Sequence, residues 1–141
     1  MSFLLTDASA RIVDRRCSDR GLLDRLDGVF AAEGYVLAED EVGTNGAGTA
    51  LEVGRPVRVD GHEHHEGSLH QFTCVGVPIR GVDGRVRGLL DVTCPADGHN
   101  ALVEYPAEQT AEEIASRLAA QRPAAERAVR PLRRRVAVRS H

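Results

Sequence analysis

The sequence contains no lysine: all eighteen of its basic residues are arginine. A Walker-type phosphate loop needs a lysine at a fixed position, so the small-residue run at 43–49 is not such a loop, and its spacing does not match the dinucleotide fingerprint. Long apolar runs are missing too. No stretch approaches the roughly 20 apolar residues that span a bilayer, and Met1-Ser2-Phe3-Leu4-Leu5 has neither the basic flank nor the apolar length of a secretory signal. The expected compartment is therefore the cytoplasm. Cysteine is scarce and odd in number. Cys17, Cys74 and Cys94 have no short metal-ligand spacing and form no disulfide framework, so reduced thiols are expected.

A length of 141 residues suits one domain with a single core. The net charge of −3 conceals an asymmetry. Residues 122–141 hold seven arginines against Glu126 alone, which leaves eleven arginines and twenty carboxylates in residues 1–121. An acidic body does not suit nucleic acid, whose phosphates require clustered positive charge. The chain divides accordingly into a folded domain at 1–121 and a basic C-terminal helix or linker at 122–141, with Pro131 interrupting any long basic helix.

Hydrophobic patterning predicts the elements. Phe3 to Thr6 and Arg11 to Asp14 flank a polar turn and read as a hairpin. Leu22, Leu23, Leu26, Val29 and Phe30 recur at helical spacing behind Ser18-Asp19, predicting a capped helix over 19–31. Thr44 or Asn45 can cap a second helix that Gly54 and Pro56 end, and its small residues imply close packing against another element. Val57 to Asp60 alternates like a strand, and residues 61–70 form a polar stretch with four histidines. Apolar residues from Leu102 to Ala119 mark a final helix running to about Gln121.

The strongest local signal is the pair of runs Phe72–Arg80 and Arg85–Cys94 around Asp83-Gly84, a dipeptide suited to a tight turn with positive φ at both positions. Strand parity then places Val75, Val77, Ile79, Val86, Leu90 and Val92 on one apolar face. The opposite face carries Phe72, Cys74, Gly76, Pro78, Leu89, Asp91 and Thr93, a partly polar lining that suits a covered pocket. Hairpin-linked strands among helices predict an α+β fold with a central antiparallel sheet.

The run Gly43-Thr44-Asn45-Gly46-Ala47-Gly48-Thr49, then Gly54-Arg55-Pro56-Val57, Glu63-His64, Phe72-Thr73-Cys74, Pro78-Ile79 and Gly88-Leu89-Leu90-Asp91-Val92-Thr93-Cys94, resembles the GAF sensory domain of bacterial transcription activators. Acetoin and glycerol catabolism activators and their actinobacterial cousins share this ordered series, which covers roughly residues 3–121. The resemblance implies a six-stranded antiparallel sheet flanked by helices, a small-molecule pocket beside the sheet, a regulatory rather than enzymatic role, and no cofactor. Family members commonly have helical sequence before the first strand and a DNA-binding helix-turn-helix after the sensor. Neither is visible, so the chain reads either as part of a longer regulator or as a sensor acting through a partner.

The candidate ligand-binding residues are Thr44, Asn45, His64, Phe72, Cys74, Gly76, Asp91 and Thr93. Each has a plainer role: Thr44 and Asn45 organise a turn, and Asp91 either accepts a hydrogen bond from a ligand or pairs with Arg80 or Arg87. His62, His64, His65 and His70 are chemically able to bind metal but read as a solvated loop, with only His64 at a position typical of the family. Cys74 and Cys94 raise the alternative of a thiol enzyme of the free methionine sulfoxide reductase type. Parity places them on opposite faces, against a bond between them. A homodimer through the terminal helices and a ligand-free dimerisation module complete the readings.

Overall fold

The computed structural model describes residues 1–96 and 104–121. The predicted basic tail at 122–141, and Leu102 and Val103 of the last helical stripe, lie outside the described residues. Five strands form one sheet: β1 (Ser2–Asp7), β2 (Ile12–Cys17), β3 (Val57–Asp60), β4 (Phe72–Arg80) and β5 (Val86–Pro95). Their order is β2-β1-β5-β4-β3, and every neighbouring pair is antiparallel. Among the described residues the sheet thus has five strands, where six were implied. Beside β2 only a single bridge, Arg11 to Val36, extends the edge.

The helices are α1 (Arg20–Gly28), α2 (Glu39–Val42), α3 (Gly46–Val53) and α4 (Glu104–Ala120). In α1 the Asp19 carboxylate accepts from the Leu22 amide, and Leu22 and Leu26, one turn apart, are buried. The predicted apolar stripe fails at Phe30. The helix ends at Gly28, Phe30 takes a φ of 62°, and its ring lies 62% exposed against Tyr35 with centroids 5.3 Å apart. In α3 the Asn45 side chain accepts from the Gly48 amide, and Gly54 closes the helix with a φ of 69°.

The sheet divides the interior into two layers. On one face Val75, Val77, Ile79, Leu90, Val92 and Cys94 pack under Ala107 and Ala111 of α4. On the other, α1 covers Leu4, Ile12, Phe72 and Cys74, while Ala47 and Ala50 of α3 pack against Ala10 and Leu89. Fully burying one such valine or leucine contributes roughly 1.5–3 kcal/mol.

The β4–β5 register, with Val75 opposite Val92 and Val77 opposite Leu90, follows the predicted parity. Two details differ. The Gly81 amide bonds the Arg85 carbonyl and the Gly84 amide bonds the Gly81 carbonyl, so the connection is a three-residue loop in which only Gly84, not Asp83, has positive φ. The register then shifts between Ile79 and Arg80, leaving Arg87 as an extra residue. That bulge moves Val86 off the predicted face and toward the Ala47–Leu89 cluster.

Candidate functional site

Helix α3 sits unusually close to the sheet. A Cβ on Gly76 of β4 would overlap the Gly46 carbonyl, and a Cβ on Gly46 would overlap the Asp91 Oδ1. Two glycines facing each other let the start of α3 rest on the backbone of β4. Asn45 fixes that start: its Nδ2 donates to the carbonyls of Leu37 (2.8 Å) and Gly43 (2.9 Å) while its Oδ1 caps the helix.

Below this start lies a small cavity of about 30 Å³. Its polar wall is Asn45, His64, Cys74, Asp91 and Thr93, and its apolar wall includes Leu26, Leu37, Leu69 and Phe72. Six of the eight candidate residues therefore meet in one place. The other two do not line it: Gly76 makes room for the Gly46 carbonyl, and the carbonyl of Thr44 accepts from the His65 amide at 3.3 Å. Leu37 and Leu69 carried no periodic signal, since the first lies in an irregular segment and the second ends a single 3-10 turn (Gly67–Leu69); Gly46 was legible only as a close-packing residue.

Three side chains on the hairpin form a chain of bonds. The Thr93 hydroxyl donates to Asp91 Oδ2 at 2.7 Å, which leaves the Cys74 thiol to donate to the Thr93 oxygen at 3.4 Å. Asp91 is 3% exposed and makes no pair with Arg80 or Arg87, which bond instead to the carbonyls of Gly54 and Gly84 and to Asp83. Burial pushes the Asp91 carboxyl up to about 6, and the Thr93 hydroxyl opposes that rise. Burial, with Asp91 beside it, pushes the Cys74 thiol well above its ordinary value, and Cys94 on the far face is also raised by burial.

His64 also lines the cavity. Its Nδ1 lies 2.9 Å from the Gly61 carbonyl and must carry the proton, so Nε2 presents a bare lone pair. Burial lowers the pKa of the ring and favours that neutral form. Both His64 Nε2 and Asp91 Oδ1 are buried with no hydrogen-bond partner in the protein. The other histidines stay out of the cavity; the rings of His62 and His70 stack edge-on, their Nδ1 atoms 3.1 Å apart. Among the described residues, no three histidine, cysteine, aspartate or glutamate side chains are grouped to hold a metal ion.

Outside the cavity a groove of about 480 Å³ runs between the end of α1 and the 66–69 turn, with Phe30 and Tyr35 on its rim. It shares Ala31, Leu37 and Leu69 with the cavity, so these three side chains form the partition between the two spaces.

An antiparallel sheet with helices on both faces and a polar cavity beside its central hairpin defines an α+β domain of the GAF-like regulatory class. The chain belongs to the family described as MimR, N-terminal domain, which it matches over residues 1–116. It is 41% identical over 119 residues to the propane 2-monooxygenase operon transcriptional activator MimR of Mycolicibacterium smegmatis, an alignment that covers 84% of this chain and 20% of that protein. It is 42% identical over 66 residues to the acetoin dehydrogenase operon transcriptional activator AcoR of Bacillus subtilis, covering 47% of this chain and 11% of that one. In fold it is similar to the E. coli DhaR(N) chain crystallised with DhaL, with a TM-score of 0.82 at 23% identity over 97% of this chain and 46% of the other. The chain thus spans about a fifth of the length of the MimR activator it matches. These relatives are N-terminal regions of transcription regulators. No helix among the described residues is long and apolar enough to cross a membrane.

Proposed function

We propose that this chain is a cytoplasmic, small-molecule-sensing input domain of a transcription activator, in which residues 1–121 form the sensor and 122–141 begin the connection to the output. DNA recognition is supplied by another domain or a partner, a division supported by the acidic balance of residues 1–121. The observation that carries the reading is the cavity holding two buried acceptors, His64 Nε2 and Asp91 Oδ1, without partners. Buried polar groups are costly unless bonded, so two of them on residues lining one cavity favour a polar occupant there. A ligand there biases the packing of α1, α3 and the 61–70 segment, and that bias is the signal passed on.

A non-enzymatic role is supported by the thiols. Cys74 is held protonated by burial and by Asp91, which removes the thiolate a redox enzyme needs, and Cys94 faces the other side of the sheet. The small cavity volume favours one second reading, a ligand-free dimerisation module. Thermal-shift screening against small metabolites, joined to native mass spectrometry, separates the two. A ligand at a hundred times its Kd stabilises by about 2.7 kcal/mol, or about 10 °C for a domain of this size. A chain that dimerises and shifts with no metabolite overturns the sensor reading.

A further inference from the structure

Size and hydrogen-bond polarity together restrict the occupant of the cavity. A volume of about 30 Å³ is that of one water-sized group, whereas an apolar cavity that takes benzene measures about 150 Å³. The two partnerless atoms belong to residues that line this space, and both are acceptors when Asp91 is ionised: an imidazole lone pair and a carboxylate oxygen. An occupant that satisfies both from a single heavy atom has to donate twice. A carbonyl oxygen donates nothing and an alcohol donates once; a water donates twice but leaves the Asp91 charge unbalanced, whereas a primary ammonium donates up to three times from one atom and also neutralises that charge. We propose that the cavity is the head-group site of a small primary aliphatic amine, whose nitrogen donates to Asp91 Oδ1 and His64 Nε2. This deepens the sensor reading and rests on it.

The surrounding charge fits a cation. Glu41 and Glu66 line the outer groove, on a body rich in carboxylates, and raise the local concentration of cations. The positive start of α3 offsets the Asp91 charge only in part, since burial still lifts that carboxyl to about 6. Arg25 is held by the side chain and carbonyl of Gln71, with its guanidinium over the Phe72 ring, and does not line the cavity. The alkyl body of the amine lies against Leu37 and Leu69. Displacing these two side chains joins the cavity to the groove and gives the ligand its way in.

Isothermal titration of the full chain with isopropylamine, and with the isosteric 2-propanol and acetone, 1,2-propanediol and tetramethylammonium, tests this assignment. The amine is expected to bind at least tenfold more tightly than each of the others, and Asp91→Asn to weaken it at least tenfold while leaving the circular-dichroism spectrum unchanged. The series on the unsubstituted chain stands even if that variant misfolds. Tighter binding of the alcohol, ketone or diol overturns the amine assignment and leaves the sensor reading intact. Equal binding of tetramethylammonium, which has no N–H, reduces the site to nonspecific cation attraction and overturns it as well. If none of these ligands, nor any in the wider metabolite screen, binds, both readings fall.

Discussion

The two faces of the β4–β5 hairpin are built from alternate residues of the same strands, yet they are opposite in character. Under α4 the face is dry: Val75, Val77, Leu90 and Val92 meet Ala107 and Ala111, and nothing in that cluster needs a hydrogen bond. One residue along, Cys74, Asp91 and Thr93 form a bonded polar chain, with Asp91 and His64 each keeping one atom unmatched. Apolar core lies on both faces, but the buried polar chain is confined to the second. A buried carboxylate is tolerable only because its neighbours in sequence anchor the strand from the other side.

The contact that lets α3 close the polar face gives the largest expected effect. Gly76→Ala forces a methyl group into the Gly46 carbonyl, a backbone atom that cannot rotate away, and should cost about 3 kcal/mol or more in urea unfolding. Gly28→Ala is the control, because its Cβ would meet nothing within 4 Å. Equal behaviour of the two variants would mean that α3 is not seated on β4 as described.

Much of this arrangement was legible because strand parity has a period of two, so four residues of one face fix those of the other. That is why Phe72, Cys74, Asp91 and Thr93 could be placed together, and why a cap at Thr44 or Asn45 could be read ahead of the small-residue run, which the structure assigns to Asn45. What escaped depends on contacts distant in sequence. Val86 changed face because of the Arg87 bulge, which no local pattern announces. His64 was separable from His62, His65 and His70 only by family position, since four histidines in one polar stretch have the same local chemistry. Its inward turn is set by the Gly61 carbonyl bond. Leu37 closes the cavity from an irregular segment and Leu69 from one short 3-10 turn, both too short for periodicity to read.

Neighbouring residues offer a symmetrical way to break the contrast. Val92 and Thr93 are nearly isosteric, fully buried and on opposite faces. Val92→Thr places a hydroxyl in the dry cluster, and Thr93→Val removes the donor to Asp91 Oδ2 and the acceptor for the Cys74 thiol. Each should cost about 2 kcal/mol, one by burying an unbonded hydroxyl and the other by stripping a bond from a charged group. Because the two act on separate clusters, their effects should add within about 0.5 kcal/mol. A tolerated Thr93→Val would mean that the polar chain does not support Asp91.

Asp91→Asn gives the smallest effect and the most specific one, because its sign depends on pH. In the folded chain the carboxyl titrates at about 6, above the ordinary value of 3.8. Between those values the folded state holds a proton that the unfolded chain has released, so stability falls as pH rises from about 4 to 6, and the full penalty remains above that window. The asparagine variant carries no such charge. It also gains an N–H that can point toward His64 Nε2, but loses the stronger bond that a carboxylate accepts from Thr93. The balance at pH 7.5 should be a gain of about 1 kcal/mol over the unsubstituted chain, shrinking to zero or reversing near pH 4. His64, whose pKa is lowered by burial, destabilises both proteins as pH falls through the imidazole range. Urea unfolding of the two chains at pH 4, 5.5 and 7.5 measures that difference. A pH-independent offset would show that Asp91 is not the buried, partly unmatched carboxylate on which the polar face depends.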